Sequence, residues 1–399
     1  MHQLKHGRAQ NGSRILLAIT LCLWSVLCTA SIPASERAVL MNLYTNTNGD
    51  AWTTSTNWCN GACPLVGTPT FNNPGTECSW YGVACDGLKL HVIGVELGID
   101  SPNCNFNFSC NNLTGMLPPL TDLKKLVYFD VSYNFLTGSI PDLTGLTSLQ
   151  EFKVSENYLT GQIPTLAGLT NLIVFDVSVN SLSGNIPALT GLENLQFFYA
   201  NNNSLTGSIP DLAGLINLQL FSANYSGITG SIPSLAGLTN LQFFQAGSNQ
   251  LAGTVPELTG LTNLVFFDVE DNHLTGGVPD LTGLANLAWL YLGHNQLTGA
   301  LPSLSGMTNL GFFFANDNQL TGSVPVLTGL TNLQHFHVNN NQLTGNIPDL
   351  TGLTSLQFFD VSKNFLSGVV PPAPASLVSS SSALCPNPLS TTPSVNDAG

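Results

Sequence analysis

Charge is scarce in this chain. Only 8% of its 399 residues are Asp, Glu, Lys or Arg, and nine cations stand against 23 acids. A surface that acidic repels phosphate backbones, which removes nucleic acid from the candidate partners. The shortage of charge does not read as disorder, because 43% of the residues are hydrophobic and can fill a core. No G-x-S-x-G, H-E-x-x-H or phosphate-binding glycine loop occurs, so neither an enzyme nor a cofactor is expected. Beyond residues 15–28 no apolar run is long enough to cross a bilayer. Cysteine is almost absent after Cys110, where only Cys385 follows.

What the chain has in abundance is repetition. From Asn111 to Pro371 a 23-residue sentence recurs: Gly115 returns at every 23rd position up to Gly368, and Pro118 does so up to Pro371. A period in this range built on L-x-x-L-x-L-x-x-N-x-L is the leucine-rich-repeat pattern, in which one short strand and its turn cannot bury their apolar face without stacked neighbours. The expected fold is an α/β repeat solenoid, a right-handed superhelix with a parallel β-sheet on the concave face and mostly turns or 3-10 segments on the convex one. Four segments are expected: a signal peptide over 1–30, a cysteine-containing cap over 31–87, about twelve repeats over 88–371 and a Pro/Ser-rich tail over 372–399. An insertion at 101–110 should interrupt the first repeat and project near the concave rim.

The first segment carries Lys5, Arg8 and Arg14, an apolar run and the small residues Thr29 and Ala30, the order of a secretory leader. An uncleaved anchor is the alternative. Cleavage after Ala30 would leave six Lys and Arg against 23 acids, and no membrane span. In an oxidising compartment Cys59, Cys63, Cys78, Cys85, Cys104 and Cys110 could staple the cap, with Cys59–Cys63 and Cys104–Cys110 suggested by proximity although spacing does not fix connectivity. Cys385 is left over.

The repeat ending Leu136-Thr137-Gly138-Ser139-Ile140-Pro141 resembles the L-x-G-x-I-P ending of plant-type extracellular leucine-rich repeats, found in receptor-kinase ectodomains and polygalacturonase-inhibiting proteins. Upstream, Glu36-Arg37-Ala38-Val39-Leu40, Thr47-Asn48-Gly49-Asp50-Ala51-Trp52 and Cys78-Ser79-Trp80-Tyr81-Gly82-Val83-Ala84-Cys85 resemble the cap of such proteins as met in bacteria and protists. The resemblance implies a Cys78–Cys85 bridge and a non-enzymatic recognition module. The step of 23 departs from the plant step of 24, one residue being missing between Pro141 and Leu143.

Alternation along each strand divides the residues between two faces. The inward row is a column of Phe from Phe129 to Phe359 with Leu290 as the exception, followed by an Asn ladder from Asn134 to Asn364 that Ser226 breaks, making that rung looser. A buried carboxamide persists only when paired, so the ladder is expected to satisfy backbone groups. The outward rows hold the candidate site. One reads Tyr128, Glu151, Val174, Phe197, Leu220, Phe243, Phe266, Trp289, Phe312, His335, Phe358; the other reads Asp130, Lys153, Asp176, Tyr199, Ser222, Gln245, Asp268, Tyr291, Phe314, His337, Asp360.

The expected binding surface is the aromatic stretch of these rows, Phe197, Tyr199, Phe243, Phe266, Trp289, Tyr291, Phe312, Phe314, His335 and His337, rimmed by Asp268, Glu270, Asp271 and Asp317. Contiguous exposed apolar surface marks interaction sites, and Trp and Tyr are favoured anchors. The competing reading is aromatic stacking that stabilises a parallel sheet. The partner expected is an extracellular protein or peptide bound by a secreted or surface-displayed module; a carbohydrate stacked on the rings is an alternative. His335, His337 and Asp360 could supply metal ligands, and Asp268, Glu270 and Asp271 calcium ligands, but exposed histidines and a solvated acidic face account for them without a metal. A threonine column, Thr114, Thr137, Thr160 and onward, could order ice-like water, though the same Thr belongs to the repeat turn. Sequons stand at Asn107, Asn112, Asn202 and Asn224.

Overall fold

The structure, a computed structural model, describes residues 31–61, 68–98, 111–378 and 382–390. The expected leader, Cys63, the expected insertion at 101–110 with Cys104, Cys110 and Asn107, and the last nine residues lie outside the described residues. A helix at Ala34–Asn46 opens the described chain, and after it the architecture is a leucine-rich-repeat superhelix of stacked short strands.

Among the described residues the main sheet has thirteen strands. Val83–Cys85 pairs antiparallel with Val92–Glu96, and eleven three-residue strands from Tyr128–Asp130 to Phe358–Asp360 follow in parallel, each in register with its sequence neighbour 23 residues away. The antiparallel strand covers the edge that an open parallel ladder would present to other chains. Alternation is as expected: Phe244 is fully buried, whereas Phe243 and Gln245 are half-buried on the outer face. The inward Phe rings stack rung on rung with centroids 5.2–5.7 Å apart, and Leu290 interrupts the column between Phe267 and Phe313.

The strands are short because the chain leaves them at a fixed point. Residues Tyr133, Glu156, Val179 and their equivalents to Lys363 all hold φ between 51° and 55°, the left-handed region that turns the backbone out of the sheet. The Asn that follows fastens this exit. Asn157 donates to the carbonyls of Val131, Val154 and Ser155 at 3.0–3.2 Å and accepts from the Leu136 N–H at 2.9 Å, so one buried side chain ties two rungs. Ser226 makes one such bond, to the Asn203 carbonyl at 3.4 Å. Ser226→Asn should therefore raise stability by about 1 kcal/mol, net of the usual discount for exchanging water bonds, read as a higher denaturant midpoint at unchanged m-value.

Two further ladders run along the solenoid outside the main sheet. The Thr-Gly segments form short parallel pairings of their own, such as Thr160–Gln162 with Ser181–Asn185, and Thr hydroxyls bond the Gly carbonyl of the preceding rung, Thr229 to Gly207 at 3.0 Å. On the convex side a second Asn row bridges turns, with Asn171 donating to the Thr147 carbonyl and Asn194 to that of Thr170. The expectation of mostly turns on the convex face is thereby refined: the Leu-x-x-Leu turns are there, closed by bonds such as Leu149 N–H to Leu146 C=O, but extended segments flank them.

At the N-terminal end Tyr44, Trp52, Trp58, Phe71 and Trp80 interlock as one aromatic cluster, and Arg37 lies over Trp80 while pairing with Glu77. Buried Glu36 fastens the helix to the first rung by accepting from the Val92 N–H at 2.7 Å and contacting His91 Nδ1 at 2.6 Å. Cys78 and Cys85 form a disulfide, Cys59 is also disulfide-bonded, and Cys385 is an exposed free thiol. The Pro/Ser-rich segment expected as a tail carries the ladder on. Ala383 bridges to Asp360, Leu389–Ser390 pairs with the preceding rung, and Asn387, 23 residues after Asn364, accepts from the Leu366 N–H and donates to the Val361 carbonyl.

Candidate functional site

Parallel register brings nine outward positions into a grid. Phe266, Trp289 and Phe312 stand side by side, Asp268, Tyr291 and Phe314 form the next row, and the same two-residue alternation past the strand ends adds Glu270, Gly293 and Asn316. Ring contacts run without a break from Phe266 through Trp289 and Phe312 to His335 and Phe358, with centroids 4.2–6.1 Å apart. A second row joins Tyr291, Phe314 and His337 at 5.0 and 4.5 Å, and Phe266 meets Tyr291 edge-on at 5.4 Å. These side chains are half-buried by one another while their outer surfaces remain open.

The other expected members fall differently. Phe243 continues the first row beside Phe266, but Phe197 and Tyr199 are set apart by the Leu220 and Ser222 rung. Two positions of the second row are not open at all. Asp130 is turned down onto the Ser132 N–H and hydroxyl against Gly98, and Ser222 is held by Asn201 and Asn224. Phe358 belongs to the floor although it was not among the expected site residues, and Glu270, Gly293 and Asn316 form a third outward row. Counting on by two past the strand end was the signal that finds them.

The acids at one edge are not ordinary surface carboxylates. Burial pushes the Asp268 pKa up to about 6; the Glu270 N–H donated to it at 3.0 Å opposes this, and the charges of Glu270 and Asp271 add to it. Glu270 is raised by burial first and by Asp271 next. Burial also works against the Asp317 carboxylate, but hydrogen bonds from Asn316 and Asn340 and the charges of His294 and Lys363 outweigh it and hold its pKa low. Burial lowers the pKa of both His335 and His337, keeping the rings neutral among the phenylalanines.

A carboxyl whose folded pKa exceeds its unfolded one binds more protons in the native state, so it lowers stability as pH rises through that interval. For Asp268 the penalty should be absent below about pH 4, grow up to pH 6 and reach roughly 2–3 kcal/mol above it. Asp268→Asn, which retains the acceptor for the Glu270 N–H, should flatten that part of the stability profile in denaturation measured from pH 4 to 7.

His335 and His337 stack at 5.8 Å instead of converging on a point, and among the described residues no group of three or more His, Cys, Asp or Glu is placed to hold a metal ion. Asn112, one of the sequons, donates its amide to the Ala51 carbonyl. No helix among the described residues is long and apolar enough to cross a membrane.

Comparison with known proteins finds the same architecture in solved leucine-rich-repeat structures. The sequence model of the Leucine Rich Repeat family matches residues 332–353. The solved PEPR1–AtPEP1 structure is 27% identical, covering 90% of this chain and 52% of that one at a TM-score of 0.69. The Arabidopsis receptor kinase HAESA, solved with the peptide hormone IDA and the co-receptor SERK1, is 28% identical over 79% of this chain and 61% of that one, at a TM-score of 0.59. A plant ice-binding protein, 22% identical over 91% of this chain and all of that one at a TM-score of 0.51, shares the fold. The chain thus spans about half to three-fifths of the length of the PEPR1–AtPEP1 and HAESA chains it matches. No curated protein matches it in sequence.

Proposed function

We propose that this chain is an extracellular, non-enzymatic recognition module that binds a peptide, or an extended segment of a protein, on the aromatic floor of the main sheet. The observation that carries the reading is the unbroken row from Phe266 to Phe358, five rungs of rings with open faces on a surface otherwise poor in charge. Water is displaced cheaply from such a face, and rigid aromatic anchors lose little side-chain entropy on binding. The complex of HAESA with a peptide hormone supports a peptide as the class of partner, and the leader-like first thirty residues support export.

A parallel sheet of three-residue strands presents side chains about 4.8 Å apart across rungs and close to 7 Å apart along a strand, spacings that match the side chains of an extended peptide. The test is selection from a displayed random-peptide library on the whole chain, followed by affinity measurement on variants. Trp289→Ala and Phe312→Ala should each weaken the selected peptides by about 2 kcal/mol or more. Retention of full affinity by both would move the site off the floor.

A further inference from the structure

The floor is not neutral along its length, and this points to the charge of what it binds. Resting on the peptide-binding reading above, we propose that the partner segment carries a basic side chain, an arginine or lysine, seated over Gly293 beside its apolar anchor on Trp289 and Phe312. Gly293 is the one small residue of the nine-position grid. A β-carbon there would stand 2.7 Å from Glu270 Oε1 and 2.8 Å from Asn316 Oδ1, so two acceptors from the flanking rungs meet over its bare backbone. Neither has a donor of its own. Asn316 Oδ1 is buried without a hydrogen-bond partner, and the Glu270 carboxylate accepts no hydrogen bond among the described residues.

The amide of Asn316 is held in this sense by its other end. Its Nδ2 donates to Asp317 Oδ2 at 2.7 Å and lies 3.2 Å from His294 Nε2, so a flip would set two oxygens against each other at Asp317. The niche therefore keeps two acceptors and wants a donor. Asp268, Asp271 and Asp317 add negative potential around it, and the Tyr291 ring stands two residues before Gly293, at the end of its strand. His294 and Lys363 are the basic side chains near this acidic cluster. A guanidinium fits all three features at once, because it offers several donors in one plane, stacks on aromatic rings and gives up its hydration more readily than an ammonium does. Charge complementarity thus selects a cationic occupant, and an acidic or phosphorylated one is disfavoured.

The probe is a displayed library of random 12-residue peptides selected on the full chain. Arginine or lysine should be enriched next to Phe, Trp, Leu or Ile. For a selected sequence made as a synthetic amide, replacing the enriched arginine with its neutral isostere citrulline should weaken binding about tenfold, as expected for a charge-assisted contact. The penalty should largely vanish on Glu270→Gln, and Gly293→Ala, whose β-carbon would clash with both acceptors and push them aside, should remove it while Trp289 still anchors the peptide. Selected peptides that need Trp289 but show no basic enrichment, or a citrulline penalty that Glu270→Gln leaves unchanged, overturn the cationic niche and leave the floor standing. Peptides indifferent to Trp289→Ala, or a selection that enriches nothing, overturn both.

Discussion

Phe313→Ala is expected to cost about 3–5 kcal/mol of stability, several times what Trp289→Ala or Phe312→Ala should cost, although Phe312 is its neighbour in sequence. Phe313 is wholly buried, its ring stacked at 5.2 Å on Phe336 and its other side against Leu290, where the Phe column is already interrupted. Removing it would open a cavity that a stack fixed at both ends by 23-residue spacing has little freedom to close. Phe312 lies on the outer face, and truncating it uncovers neighbours that already meet water. Urea denaturation of the three variants, followed by circular dichroism, gives the comparison. Equal losses at Phe312 and Phe313 would mean that the floor is sheet packing and not a binding surface.

The second large effect concerns a polar residue. Asn157→Ala should also lose about 2–4 kcal/mol, because it removes four buried hydrogen bonds at the exit of the strand: the Leu136 N–H is left without its acceptor, at roughly 1–3 kcal/mol, while the Val131, Val154 and Ser155 carbonyls keep only their second donors, from Asn134, Asn180 and the Tyr133 N–H. Asn171→Ala provides the control. That side chain makes a single bond, to the Thr147 carbonyl, on the exposed convex surface, and its loss should stay below about 1 kcal/mol. A similar drop in both variants would show that the ladder's contribution lies in surface bridging and not in the buried knot. The two variants sit away from the aromatic floor, so binding should survive wherever folding does.

Much of this was legible in the residues because repetition makes each inference many times over. One Phe-Phe pair is ambiguous as to which ring is inside; the same pair recurring at 197–198, 243–244 and 266–267 in a fixed frame with Leu and Asn is not. The sidedness of Trp289, Tyr291, Phe312 and Phe314 followed from that frame. What escaped it depended on a third dimension. Asp130 reads as outward but turns to meet Ser132 and the backbone beside Gly98, a local choice that period-2 alternation does not encode. The continuation past Pro371 was hidden because proline and serine replaced the leucines, although Asn387 keeps the 23-residue step. Glu270 and Asn316 were visible as letters, yet their convergence over Gly293 exists only once neighbouring rungs are laid side by side.

The left-handed exit repeated from Tyr133 to Lys363, with an Asn knot at nearly every rung, also decides how the molecule answers a mechanical load. Each rung is bonded to the one before and the one after and to nothing further away, so tension applied between the two ends is borne in series. Such a chain yields link by link, each peeled rung releasing about 75–80 Å of extended polypeptide while the remainder keeps its shape. The rung at Ser226, held by one side-chain bond in place of four, is the weak link of that series. It lies two rungs before the aromatic floor begins at Phe266, so a break there would part the N-terminal end from the floor and leave the rows of rings in one piece.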